Sequence, residues 1–129
     1  MKAVKILSMA FILVSALIGC SKEEIKTNSS ATGTWIGKWG YDNDQPSHYY
    51  KLVLSSNGTL KRYNDDGEVI STGTWKVSGF NFEGEYTMTG NGSKFLIKGL
   101  YSDIAGEITG TWGSAPSYAN GGTFDLNKE

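Results

Sequence analysis

Residues 82–101, which read FEGEYTMTGNGSKFLIKGLY, decide the fold class. Before the turn sequence Gly90-Asn91-Gly92, aromatic, glycine and methionine residues alternate with Glu83, Glu85 and Thr87. After it, apolar residues and glycine recur at every second position up to Tyr101. A period of two is typical of a β-strand with one buried face, and glycine and asparagine favour tight turns. The stretch therefore predicts two antiparallel strands joined by a short turn.

The same alternation continues on both sides of this hairpin. Strands are predicted at residues 33–41, 48–55, 59–63, 68–78, 82–89, 93–101, 106–112 and 122–127. Asn57-Gly58 and Asp66-Gly67 are strong hairpin signals between strands. Gly79 and Asn81, which flank Phe80, indicate a break or bulge.

Composition and turn lengths predict how the strands are arranged. Of the 17 glycines, all but Gly19 follow residue 32, and no stretch there has the apolar period of a helix. Short turns favour pairing of strands that are consecutive in the chain, and pairing the first strand with the last removes the sheet edges. We therefore expect an all-β fold, a small up-and-down antiparallel β-barrel of about eight strands, over residues 33–129.

The first 20 residues, MKAVKILSMAFILVSALIGC, have the pattern of an export signal. Lys2 and Lys5 precede an apolar helical stretch that is too short to span a bilayer. Leu17-Ile18-Gly19-Cys20 resembles the lipobox of bacterial lipoproteins. The resemblance implies that residues 1–19 are a signal peptide, that a peptidase removes them, and that the sulfur of Cys20 carries a diacylglycerol that anchors the protein to a membrane.

Residues 20–32 contain the lipidated cysteine and a polar stretch that we expect to be a flexible linker. Within it, Ser21-Lys22-Glu23-Glu24 resembles the short acidic tag of some surface-exposed lipoproteins. The resemblance implies a lipid-anchored protein on the cell surface of the outer membrane, and the periplasmic face is the alternative.

Charge and cysteine content exclude several classes of function. Without Lys2 and Lys5, the mature chain has 10 basic and 13 acidic side chains, so it has no electrostatic footprint for nucleic acid. Cys20 is the only cysteine, which leaves it without a disulfide partner. No cofactor motif is present, and we expect no cofactor.

A Gly-Thr-Trp motif occurs at residues 33–35, 73–75 and 110–112. The first copy, at the start of an eight-strand meander, resembles the Gly-x-Trp opening of lipocalin-like (calycin) barrels. The resemblance implies that a small apolar molecule binds in the mouth of the barrel. The domain is shorter than typical lipocalins and lacks their C-terminal helix, so we expect short strands and a small cavity.

Aromatic side chains at one end of the barrel are the candidate ligand contacts, since they can stack on a sugar or a flat apolar molecule. We predict ligand contacts from Trp39, Tyr41 and Trp75. The predicted rim consists of Tyr41, Tyr49, Tyr118 and the loop 113–121.

Other candidate sites have simpler explanations. His48 is the only histidine, so it forms neither a catalytic triad nor a metal site by itself. The acidic stretches 42–44 and 64–66 lack the full ligand pattern of a Ca²⁺ loop and fit turn chemistry. Glu83 and Glu85 have the spacing of a glycosidase pair, but their strand face points to solvent.

Three functional hypotheses follow. The leading one is a non-catalytic, membrane-anchored binding module for a small apolar or glycan-like ligand. The alternative is a structural or interaction lipoprotein that has no cavity and binds an envelope protein through loops 42–47 and 113–121. A small hydrolase that uses Glu83 and Glu85 is the third, and we do not expect an enzyme.

Overall fold

A computed structural model of the protein describes residues 30–129. The strands are β1 (Gly33–Tyr41), β2 (His48–Leu54), β3 (Thr59–Tyr63), β4 (Val69–Ser78), β5 (Asn81–Met88), β6 (Lys94–Ser102), β7 (Glu107–Ser114) and β8 (Gly122–Lys128). They form one closed barrel in sequence order, which confirms the predicted all-β, up-and-down architecture. The predicted signal peptide, Cys20 and the linker up to residue 29 lie outside the described residues.

Pairing of β1 with β8 closes the barrel, in an antiparallel register that runs from Trp35 opposite Lys128 to Tyr41 opposite Gly122. Every other strand pairs with its neighbours in sequence. Closure gives each strand two hydrogen-bonded partners, so none of the eight strands presents a free edge. No helix within residues 30–129 is long and apolar enough to cross a membrane.

The strand boundaries agree with the sequence prediction to within about two residues, but the segment around Phe80 differs from it. Ser78 pairs with Asn81, so Gly79 and Phe80 form a two-residue hairpin turn and not a break within a strand. Gly79 has a φ of +63°, the conformation that a type II′ turn requires at its first central position and that glycine adopts without strain.

Glycines on the inner face let strands approach one another closely. A Cβ atom on Gly73 would lie 1.8 Å from the carbonyl oxygen of Glu85 in β5, and one on Gly110 would lie 2.0 Å from that of Lys98 in β6. No larger residue fits at these positions without moving the backbone. Glycine kinks of this kind bend a sheet sharply enough to close it with short strands.

The turns divide the barrel into two ends. The open end carries the turns after β1, β3, β5 and β7, and the closed end carries the turns after β2, β4 and β6. Side chains fill the closed half, where Trp35 is fully buried and its ring meets that of Tyr101 edge-on at 6.1 Å. The ammonium of Lys128 lies 6.0 Å from the centroid of the Trp35 ring.

Residues 30–32 differ from the flexible linker that their composition predicted. Ala31 is fully buried, and its carbonyl oxygen accepts a hydrogen bond of 2.9 Å from the indole nitrogen of Trp35. The ammonium of Lys128 donates to the carbonyl oxygen of Ser30 at 2.7 Å. The packed domain therefore includes residues 30–32, because the buried indole nitrogen needs the backbone acceptor that Ala31 supplies.

Candidate functional site

The open end contains a cavity of about 370 Å³. Six of its nine lining residues are aromatic, and the others supply a cation, a thioether and a hydroxyl. The lining residues are Trp39, Tyr41, Tyr50, Arg62, Tyr86, Met88, Phe95, Trp112 and Ser114. Strands β1, β2, β3, β5, β6 and β7 all contribute, so the cavity exists only because the barrel closes.

Contacts among aromatic rings fix one wall of the cavity. Trp39 meets Trp112 edge-on at a centroid distance of 5.2 Å, and it meets Tyr41 in the same way at 4.9 Å. The indole nitrogen of Trp112 donates a 2.9 Å hydrogen bond to the carbonyl oxygen of Gly40. His48 stacks on Trp39 with ring centroids 4.4 Å apart. Edge-to-face packing and the indole hydrogen bond hold these rings in place before any ligand enters.

Arg62 places a positive charge among these rings. It follows Leu60 by two residues on β3, so its side chain shares the inner face with that buried leucine. The β3–β4 register shifts between Arg62 and Tyr63, and such bulges bend a strand locally. The guanidinium carbon lies 5.1 Å from the centroid of the Tyr50 ring, 5.7 Å from that of Tyr86 and 5.9 Å from that of Trp39.

The guanidinium of Arg62 makes few and long hydrogen bonds within the protein. Its Nε is buried and has no hydrogen-bond partner. Its Nη1 is 3.5 Å from the hydroxyl of Tyr86 and 3.9 Å from the sulfur of Met88, which are long contacts. Cation–π attraction to the surrounding rings offsets part of the cost of burying the charge, but Nε is left buried without an acceptor in the protein.

Two tyrosine hydroxyls lie at the base of the cavity. The hydroxyl oxygens of Tyr50 and Tyr86 are 3.0 Å apart. Burial raises the pKa of both phenols, and for Tyr50 the neighbouring Tyr86 raises it further. Both phenols are protonated at neutral pH; one donates to the other, which leaves one O–H group free to donate elsewhere.

The structure brings two of the three predicted contact residues together. Trp39 and Tyr41 both line the cavity. Trp75 does not line it: the side chain is buried in the closed half, and its indole nitrogen donates a 3.0 Å hydrogen bond to the carbonyl oxygen of Ser55 in the β2–β3 turn. Trp75 was a candidate ligand contact because it faces the inside of the barrel. Its position along β4, however, places it in the closed half, away from the cavity.

Neither Tyr49 nor Tyr118 lies on the rim. Tyr49 pairs with Lys38 on the outer wall, and the ring of Tyr118 lies 5.5 Å from the ammonium of Lys98 on β6. The loop after β7 folds back along the outside because Thr111 donates to the carbonyl oxygen of Tyr118 at 2.7 Å. The amide nitrogen of Ser114 also donates to Asn120 Oδ1 at 2.8 Å.

Glu83 and Glu85 lie on the outer wall, as their strand face predicted. Glu83 is 3.4 Å from the ammonium of Lys76, and Glu85 is 3.4 Å from that of Lys94. Both carboxylates are therefore half-exposed members of surface ion pairs, and they line a shallow outer pocket of about 280 Å³.

Turn chemistry accounts for the acidic stretch after β3. The side-chain oxygen of Asn64 accepts hydrogen bonds from the amide nitrogens of Asp66 and Glu68, at 3.1 and 2.9 Å. Within residues 30–129, no three His, Cys, Asp or Glu residues are grouped in a way that could hold a metal ion.

Sequence reasoning missed Arg62 as a site residue. Its position two residues after Leu60 on a short strand was a usable signal, since residues of the same parity share a face. Its charge, however, favoured an outward position, because arginine on a strand is usually exposed to solvent.

Compared with known proteins, the chain matches no family model, no curated protein and no solved structure. The resemblances to lipoproteins and to lipocalin-like barrels therefore stay predictions.

Proposed function

We propose that the protein is a lipid-anchored binding module of the bacterial outer membrane that holds one small, flat, mostly apolar molecule in the open end of its barrel. The observation that carries this proposal is the cavity of about 370 Å³ walled by six aromatic rings. Small-molecule sites are concave, mostly apolar and furnished with a few polar groups, and their volumes start at about 300 Å³.

The lining favours an apolar ligand over a glycan. A sugar presents many hydroxyl groups, and each needs a hydrogen-bond partner when it is buried. The polar side chains on the cavity wall are few: the guanidinium of Arg62, the hydroxyls of Tyr41, Tyr50, Tyr86 and Ser114, and the indole nitrogens. The indole nitrogen of Trp112 is already bonded to the Gly40 carbonyl oxygen. Stacking on aromatic rings therefore dominates what the cavity offers.

A fluorescent apolar probe tests the proposal. N-phenyl-1-naphthylamine is titrated into the predicted mature polypeptide, residues 20–129, with Cys20→Ser to prevent lipidation. We expect saturable binding of one probe per chain, accompanied by a rise in the thermal unfolding midpoint because the ligand binds only the folded state. A panel of oligosaccharides should leave that midpoint unchanged.

Two exposed tyrosines provide matched variants. Tyr41→Ala removes a ring from the cavity wall and should weaken probe binding about two- to tenfold, the worth of one aromatic contact. Tyr49→Ala removes a ring from the outer wall beside β1 and should leave binding unchanged. Equal affinities in the two variants, or no saturable binding to the parent protein, would contradict the proposed site.

The anchor is tested separately in cells. Radioactive palmitate should label the full-length protein, and the label should disappear in Cys20→Ala. The same substitution should move the protein from the membrane to the soluble fraction, because stable membrane anchoring requires two or more lipid chains, and the variant carries none. Protease accessibility of intact cells then distinguishes the cell surface from the periplasmic face.

A protein-interaction role is the second candidate, and one observation favours it. Phe80 and Ile104, at neighbouring turns of the closed end, and Leu100 on the adjacent outer wall are all exposed large apolar side chains. They lie at the end opposite loops 42–47 and 113–121, through which the contact was predicted. Grouped apolar exposure of this kind marks contact surfaces. Crosslinking from Ile104→Cys in intact cells should capture an envelope protein if this role is correct, while the same reaction from Asp65→Cys at the open end should not.

A further inference from the structure

We propose that the ligand of the open-end cavity is an anion, a small apolar molecule with one carboxylate that binds the guanidinium of Arg62. This inference rests on the proposed function, and it adds the charge and the polar group of the ligand. It makes Arg62 the residue that decides which apolar molecules the cavity accepts.

Arg62 has no counter-ion in the described part of the chain. Within residues 30–129 the ion pairs are Lys76–Glu83 and Lys94–Glu85, both on the outer wall. Isolated charges are costly to remove from water, and the side chain of Arg62 is partly buried, with its Nε fully buried. An unpaired guanidinium on the wall of an aromatic cavity is therefore an incomplete interaction, which an anionic ligand would complete.

The hydrogen-bond donors lead to the same conclusion. A guanidinium carries five N–H groups and accepts none. Nε has no partner, and the contacts of Nη1, at 3.5 Å to Tyr86 and 3.9 Å to Met88, are long. The planar fork of arginine matches the two oxygens of a carboxylate, which form shorter and stronger bonds than neutral acceptors do.

The rest of the lining suits the remainder of such a molecule. The hydroxyls of Tyr50 and Tyr86 share one hydrogen bond, so one of the two O–H groups is available to donate to the same carboxylate. Trp39, Phe95 and Trp112 supply aromatic surface for the apolar part of the ligand. No carboxylate of the described chain lines the cavity to repel an anion.

A matched pair of ligands tests the inference. 2-Naphthoate and 2-naphthamide have the same ring system and nearly the same shape, but only the first is charged at neutral pH. Each ligand is tested for its ability to displace N-phenyl-1-naphthylamine from the protein. The protein used is the predicted mature polypeptide, residues 20–129, with Cys20→Ser in place of the lipidated cysteine. We expect 2-naphthoate to displace the probe at a concentration at least about tenfold lower, the range of a charge-assisted hydrogen bond.

Three variants assign the preference to Arg62. Arg62→Met should bring the ratio of the two affinities close to one while binding of 2-naphthamide persists. Arg62→Lys, which keeps the charge but loses the planar fork, should keep part of the preference and remains informative if the methionine variant does not fold. Lys61→Met, the matched control, removes the same charge from an exposed position next in sequence and should leave the ratio unchanged.

The outcomes separate the two proposals. Equal displacement by acid and amide in the parent protein, or a preference that survives in a folded Arg62→Met, would overturn the anionic ligand but leave the apolar site standing. Absence of saturable probe binding would overturn both. A preference lost equally in Lys61→Met and Arg62→Met would show a long-range charge effect and would also overturn the assignment to Arg62.

Discussion

The hydroxyl of Tyr50 on β2 lies 3.0 Å from the hydroxyl of Tyr86 on β5, although the residues are 36 positions apart in the chain. This contact crosses the inside of the barrel and marks the boundary between its two halves. Toward the closed end, Leu52 and Leu60 belong to the filled core. Toward the open end, the cavity begins, and Tyr50 and Tyr86 are the most deeply buried residues of its lining.

Because Tyr50, Tyr86 and Tyr101 are buried, we expect the free energy of unfolding to fall in alkaline solution. Burial raises the pKa of Tyr50 and Tyr86, and burial together with the hydrogen bond to the Asp103 carboxylate raises the pKa of Tyr101 to about 12. Unfolded tyrosines lose their protons near pH 10. Above that pH the folded state therefore binds more protons than the unfolded state, and the free energy of unfolding falls as pH rises.

Urea unfolding between pH 9 and pH 12 measures this effect. Tyr101→Phe should make the decline between pH 10 and pH 12 shallower, because one group that ionises late is removed. Tyr49→Phe, on the outer wall, should leave the slope as it is. A stability curve that is flat up to pH 12 would contradict the burial of the three phenols.

Gly73→Ala should destabilise the barrel by roughly 3 kcal/mol, because the new methyl group would overlap the backbone of Glu85. Gly90→Ala is the control, since a Cβ atom there meets nothing within 4 Å. It should be neutral or stabilising by less than about 1 kcal/mol, through reduced entropy of the unfolded chain. Chemical denaturation of both variants makes the comparison, and equal losses would argue against close approach of β4 and β5.

Trp35 and Trp39 are expected to have separable roles. Trp35→Phe removes part of a fully buried ring and its hydrogen bond to Ala31, so it should lower the free energy of unfolding by roughly 2–3 kcal/mol. Trp39→Phe alters a half-buried ring on the cavity wall and should cost less than about 1 kcal/mol. Probe affinity should fall in Trp39→Phe and stay constant in folded Trp35→Phe, and the reverse pattern would place the site at the closed end.

Removing both outer-wall ion pairs should change little. The double variant Glu83→Gln, Glu85→Gln breaks contacts between side chains that are 43% to 74% exposed, and such pairs contribute less than about 1 kcal/mol each. We expect an unchanged urea midpoint within that range and unchanged binding of 2-naphthoate. A large loss of binding would indicate that the outer wall, and not the cavity, holds the ligand.

The prediction of the barrel succeeded where the physical cause is local. Alternation with a period of two and turns such as Asn57-Gly58 depend on neighbours along the chain, so they located eight strands before any contact was known. The turn at Gly79-Phe80 was misassigned because its glycine fits a bulge as well as a hairpin, and only the pairing of Ser78 with Asn81 decides between them.

The sequence by itself determined the fold class, the strand boundaries and which side chains face inward, because each follows from the alternation of a single strand. Only the tertiary structure decided which end each inward residue occupies. It placed Trp75 in the closed half and Trp39 at the cavity, because strand direction and register set the position of each residue along the barrel axis. It also turned Arg62 into a site residue, because barrel closure surrounds that position with rings from β1, β2 and β5.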